Sequence, residues 1–216
     1  MQKFFKTLSR IYHLFRVFLQ LVYGIIRISP ATTPMVTIFG GSRAQKSTYY
    51  FEQASKLGAL LVEHNISVLT GGGPGIMQAA SCGGFNLKKR KAKIIGIGVN
   101  RLDQERNECV DDFFSLDYFF ARKLLLTNYS RAFVFFPGGF GTLDELFELI
   151  TLLATKQMNK LPIVLFGVSY WTPFIDWIKT EVVEQGLIEI QDLNFFVLTD
   201  NLEEAFCIIS DYCKTT

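Results

Sequence analysis

Gly138, Gly139 and Gly141, then Thr142 and Glu145, form the stretch of this chain best suited to chemistry. Glycine leaves a turn bare of side chains, so its backbone N–H groups can close on an anion. Phe133 to Phe136 before it reads as a buried strand, a short aromatic run broken by Pro137. A helix starting at Thr142, with Leu143, Leu146, Phe147 and Ile150 on one face, would add unpaired N–H donors and the positive end of its dipole. Strand, glycine turn and helix start make a phosphate cradle. Glu145 sets it apart, a carboxylate in the first helical turn beside an anion it should repel. The dipole should keep that carboxylate ionised. Thr142-Leu143-Asp144-Glu145 also fits a capping box, with Thr142 as N-cap and Glu145 reaching back. Two familiar phosphate loops do not fit. Asp144 stands where the dinucleotide pattern needs its third glycine, and no Lys-Ser or Lys-Thr follows the glycines.

Two more glycine turns follow apolar runs. Met35 to Phe39 reads as a strand leaving through Gly40-Gly41-Ser42-Arg43, and Ile66 to Thr70 as one leaving through Gly71-Gly72-Gly73-Pro74-Gly75. For Gly40-Gly41 a tight turn is explanation enough. Three consecutive glycines cost backbone entropy that a simple turn does not require, which points to a ligand. Further strands are expected at Lys93 to Val99, Pro162 to Phe166 and Phe195 to Leu198. Helices are expected at about Thr48 to His64, from Ile76, at Tyr118 to Ser130, Tyr170 to Glu184 and Leu202 to Cys213. Asn100 to Asp112 reads as a polar loop. Alternation of strand and helix, with continuous apolar strands, predicts an α/β fold: a Rossmann-like, doubly wound parallel sheet with helices on both faces. Ligands bind such sheets beyond the carboxyl ends of the strands, where all three glycine turns lie.

The chain has 216 residues, 49% of them apolar, enough for one packed domain. Seven bases and no acid precede Glu52, which leaves 15 bases against 20 acids from there on, a net −5. A mildly acidic domain argues against nucleic acid as partner. Cys82, Cys109, Cys207 and Cys213 show no metal spacing and are expected as reduced core residues in a reducing compartment. With His13 and His64 the only histidines, zinc and Ser-His-Asp chemistry are disfavoured.

Residues 1–34 stand apart as a basic amphipathic helix and linker, before a Rossmann-like domain over 35–216. Lys3, Lys6, Arg10, His13, Arg16, Gln20, Gly24 and Arg27 recur every three or four residues, one narrow stripe on an otherwise apolar helix. Only ten residues separate Arg16 from Arg27, short of the ~20 a membrane span needs. The apolar arc must be covered, either by protein, with the protein-covered arrangement preferred, or by a membrane surface.

Arg122-Lys123 upstream, GGGPGIM, and PGGFGTLDE together resemble the LONELY GUY (LOG) family, once labelled possible lysine decarboxylases. Its PGGxGTxxE motif is met by Pro137, Gly138, Gly139, Gly141, Thr142 and Glu145. The resemblance covers about Met35 to Cys213 and is closest to the longer, bacterial branch. It implies a phosphoribohydrolase that cleaves the N-glycosidic bond of nucleoside 5′-monophosphates, AMP or cytokinin ribosides, to free base and ribose 5-phosphate. Arg122 and Glu145 are the implied catalytic pair. Gly41, Ser42, Gly72, Gly73, Gly75, Met77, Lys123, Gly138, Gly139, Gly141 and Thr142 are the expected phosphate- and nucleotide-binding set, with no metal and no cofactor. A homodimer or larger homo-oligomer is implied, in the cytoplasm, with peripheral contact at the inner membrane surface through residues 1–28 as an option. The alternative is a nucleotide-binding or sensing module of the same fold without turnover.

Overall fold

The computed structural model describes residues 2–87, 89–100 and 106–214. Its strands are β1 (Met35–Phe39), β2 (Ser67–Thr70), β3 (Ile94–Val99), β4 (Asp112–Leu116), β5 (Ala132–Phe135), β6 (Ile163–Phe166) and β7 (Phe196–Thr199). They form one sheet in the order β4-β3-β2-β1-β5-β6-β7, parallel throughout. The helices are α1 (Gln2–Ile28), α2 (Tyr49–Glu63), α3 (Ile76–Phe85), α4 (Phe119–Asn128), α5 (Phe140–Ala154), α6 (Val168–Trp177) and α7 (Leu202–Lys214). A π-helical turn, Ile178–Val183, extends α6, and a 3₁₀ stretch, Ile190–Phe195, leads into β7.

β1, β2, β3, β5 and β6 are buried along their whole length, because helices cover both faces of the sheet. On one face Val36, Ile38 and Val134 pack with Leu57 and Leu61 of α2, Ala79 of α3 and Ile209 of α7. On the other, Leu69, Phe133 and Phe135 pack with Leu125 of α4, Leu146 of α5 and Trp171 of α6. Trp171 is fully buried and its indole N–H donates to the carbonyls of Phe135 and Phe166, both at 3.2 Å. Burying such a side chain contributes roughly 2–3 kcal/mol, and here it also fixes the ends of β5 and β6. The doubly wound parallel architecture is as the sequence predicts.

β4 was not anticipated. It follows a polar loop, is five residues long, and lies at the sheet edge with mixed burial, so it lacks the continuous apolar signature. Residues 101–105 of the expected Asn100–Asp112 loop lie outside the described residues. The cysteine expectation is overturned in part: Cys82 on α3 and Cys109 are joined by a disulfide, while Cys207 and Cys213 are free. No spacing rule could reveal a pair 27 residues apart; α3 and the approach to β4 meet only in the fold.

α1 lies against β4 and α4 by its polar stripe. Arg16 pairs with Asp117 at 2.5 Å, Gln20 donates to the same carboxylate, and Arg27 pairs with Asp112. Gly24 is buried against Leu125. The side chains of Lys3 and Lys6 lie outside the described residues.

Candidate active site

The chain runs from β1 outward to β4, then returns to β5, which pairs with β1 on its other side. The turns leaving β1 and β5 therefore part in opposite directions and open a crevice between them. Gly41 N–H donates to the Pro137 carbonyl at 2.9 Å and stitches the two turns together. Ile76 N–H donates to the Gly41 carbonyl at 3.1 Å, which brings the start of α3 beneath the first turn.

A cavity of about 620 Å³ occupies this crevice. Of the residues singled out in the sequence, Gly41, Ser42, Met77, Arg122, Gly139, Gly141, Thr142 and Glu145 line it. Phe39, Gly40, Arg43, Phe119, Phe140, Leu143 and Asp144 line it as well. Of these, Arg43 is the one whose signal was available, a base directly after a glycine turn. A second cavity, about 590 Å³, opens at the amino ends of the strands, and among the described residues Arg131 is the one charged residue in its lining. It lies away from the glycine turns and brings no acid–base pair together.

α5 begins at Phe140, with Gly139 as its N-cap and no side-chain cap. Thr142 is thus the third helical residue and the capping box does not form. Without a cap the first amides of α5 stay open to a ligand. A Cβ added at Gly139 or Gly141 would meet nothing within 4 Å, so both glycines face open space. Gly138 serves differently. Thr142 Oγ1 lies where its Cβ would be, and Tyr170 O–H donates to its carbonyl at 2.5 Å.

The same shift in helix start places Glu145 in the second turn, on the face that carries Thr142, Leu146, Leu149 and Leu153. Of the expected Leu143-Leu146-Phe147-Ile150 face, Leu146 is buried and Leu143 and Ile150 pack at its edge, but Phe147 is 44% exposed, whereas Glu145 is only 7% exposed. Burial raises its carboxyl to about 7, against the opposing pull of Arg122 and Lys123. The expectation of a firmly ionised carboxylate is corrected: desolvation outweighs the dipole once the group leaves the first turn.

Arg122, on α4, has its guanidinium against Gly71 and its Nε buried with no hydrogen-bond partner among the described residues. Burial lowers its pKa, opposed by the charge of Glu145. An arginine stays protonated under such a shift. A buried donor left without a partner is costly.

Lys123 points elsewhere. Its Nζ pairs with Asp144 at 2.9 Å and Glu148 at 2.8 Å, clamping α4 to α5 and so fixing the helices that carry Arg122 and Glu145. Gly72, Gly73 and Gly75 also stand behind the lining. Gly72 takes a φ of +69°, and its carbonyl accepts the Asn107 N–H at 2.9 Å. A Cβ on Gly75 would overlap the Gly41 carbonyl.

A carboxyl that titrates near neutrality, a fixed cation and an open helix start now share one crevice. That set can hold a phosphorylated sugar and stabilise charge on it.

The family model described as possible lysine decarboxylase matches residues 77–209. The cytokinin riboside 5′-monophosphate phosphoribohydrolase LOG1 of Arabidopsis thaliana is 30% identical over 181 residues, covering 82% of this chain and 83% of that protein. LOG3 of the same plant is 30% identical over 185 residues, covering 82% of each. Among solved structures, the molybdenum cofactor carrier protein of Chlamydomonas reinhardtii superposes with a TM-score of 0.61 at 19% identity, covering 84% of this chain and 99% of that one. The molybdenum cofactor binding protein of Rippkaea orientalis gives 0.59 at 21%, covering 83% and 96%. Those two likenesses are of fold alone. From the family match over more than half of its length and the relatives matched over about four fifths of theirs, the chain belongs to the LOG family, for which possible lysine decarboxylase is the older description.

Proposed function

We propose that this protein hydrolyses the N-glycosidic bond of a nucleoside 5′-monophosphate, AMP or a cytokinin riboside 5′-monophosphate, to free base and ribose 5-phosphate. The observation that carries the reading is the meeting of Arg122 and Glu145, from separate helices, in one cavity over the open start of α5. The 5′-phosphate sits on the amides of the Gly139–Gly141 turn and anchors the sugar. The bond from C1′ to the base nitrogen then breaks through an oxocarbenium-like sugar. Water adds its oxygen to C1′, and its proton leaves with the base. Glu145, ionised at that moment, stabilises the cationic sugar and orients the water. The Arg122 guanidinium holds the phosphate or donates to the departing base. Among the described residues no lysine lines the cavity, so the older decarboxylase label has no candidate there for a pyridoxal-binding residue.

A homodimer or larger assembly belongs to the same reading. Phe140 at the cavity mouth is 92% exposed and Phe119 beside it 52%, apolar surface that a second subunit would cover. The test is incubation of purified protein with AMP, GMP, CMP and isopentenyladenosine monophosphate, with free base measured by chromatography. Release of base from at least one monophosphate, and none from its nucleoside, is expected. Nucleotide binding without base release would make the protein a sensor and overturn the hydrolase reading.

A further inference from the structure

α1 docks by the edge that a water-facing helix would turn outward. Arg16 and Gln20 hold Asp117, Arg27 holds Asp112, and His13 Nδ1 lies 3.3 Å from the Tyr118 hydroxyl. Gly24 seats the helix on Leu125. The opposite side is apolar and open: Leu14 is 70% exposed, Ile26 63% and Phe18 60%, with Ile11, Phe15 and Val22 also exposed. At roughly 100° per residue these side chains and their neighbours spread over about 180° of the helix circumference. We propose that α1 is a monotopic membrane anchor, lying in the plane of an anionic bilayer surface with this arc among the acyl chains and the domain on its other side.

The width of the arc decides between lipid and a second copy of the chain. A partner helix covers a seam narrower than half a cylinder, and pairing would leave the flanks of the arc in water. A planar apolar medium covers the whole of it. Charge agrees. Arg16 and Arg27 are already paired on the domain side, so neither of these charges has to enter lipid. The opening turns carry Lys3, Lys6 and Arg10, with no acid before Glu52, which suits anionic head groups. Arg10–Ile28 is long and apolar enough to cross a bilayer by length and composition. Crossing would break the Arg16–Asp117 and Arg27–Asp112 pairs and carry both arginines into hydrocarbon. The in-plane arrangement keeps them.

The full-length protein should sediment with phosphatidylcholine vesicles containing phosphatidylglycerol, less with phosphatidylcholine alone, and be released by alkaline carbonate. Leu14→Glu combined with Phe18→Glu should weaken vesicle binding on the order of tenfold or more, with melting temperature and light-scattering mass unchanged. If that variant does not fold, Leu14→Ser with Phe18→Ser carries the same test. Wild-type protein that ignores both vesicles overturns the proposal. So does a variant whose mass falls while vesicle binding stays, which would make the arc an interface between copies. Resistance to carbonate would make α1 a span and overturn it too.

Discussion

The Arg122 guanidinium lies over the Cα of Gly71: a Cβ built there would overlap Nη2 and stand 2.7 Å from the Met77 sulfur. The first glycine of GGGPG thus acts on the cavity without lining it. It leaves the room that lets an arginine from α4 lie down against the end of β2. Gly71→Ala should push the guanidinium toward the cavity and lower kcat on the order of 10²-fold, the cost of misplacing a charged group by about an ångström. KM should change far less. A variant with wild-type kcat would show that Arg122 tolerates the displacement.

Glu145 must be ionised to stabilise a cationic sugar, and its carboxyl titrates at about 7. kcat/KM should therefore rise with pH through a midpoint near 7. Glu145→Gln should lose a factor on the order of 10² or more and lose the inflection with it. A rate that falls through the same pH would assign Glu145 the role of general acid instead.

Stability should move the other way. An unfolded glutamate ionises near its ordinary 4.5, the folded one near 7. Between those values the folded state keeps a proton that the unfolded state has released, so stability falls as pH rises through the window. The cost is complete above about 7. Glu145→Gln removes it, and should be more stable than the wild type at pH 8 by on the order of 3 kcal/mol. At pH 4 the two should melt together. Parallel denaturant titrations at the two pH values check this.

Cys109 N–H donates to the Asn107 side chain at 2.9 Å, and Asn107 N–H to the Gly72 carbonyl. The disulfide to Cys82 thus pins the approach to β4 onto the GGGPG turn. In the chain-entropy picture a loop of this length is worth about 3–4 kcal/mol. Reduction, or Cys82→Ser, should lower the melting temperature by several degrees. An unchanged melting temperature would mean that the bond does not form in solution.

The sheet was legible because its strands are unbroken apolar runs and its turns are glycines at their carboxyl ends. Six of the strands could be placed as apolar runs, three of them marked also by a glycine turn. β4 could not, since Asp112 and Ser115 interrupt it and its partner on one side is solvent. At the site, the motif pointed to Glu145 and Arg122, and the cavity holds both. What the spacing could not tell is that α5 starts two residues early. That shift moves Glu145 from the dipole's reach into a buried face and changes its acidity. Lys123 was equally opaque: it stands next to Arg122 in sequence, yet its acids, Asp144 and Glu148, lie on another helix. For α1 the periodicity showed the polar stripe but not which way it would face.

The order of the strands has a consequence for exchange with solvent. β1 and β5 are the innermost pair of the site, with β2, β3 and β4 beyond one and β6 and β7 beyond the other. The outer strands β4 and β7 are only partly buried. Local opening begins where buried contacts are fewest, so the amides of β4 and β7 should take up deuterium first. Those of Val36 to Phe39 and Phe133 to Phe135 should resist until the whole domain opens. The crevice between β1 and β5 is therefore framed by the last hydrogen bonds the molecule gives up, and partial unfolding at either edge leaves it standing.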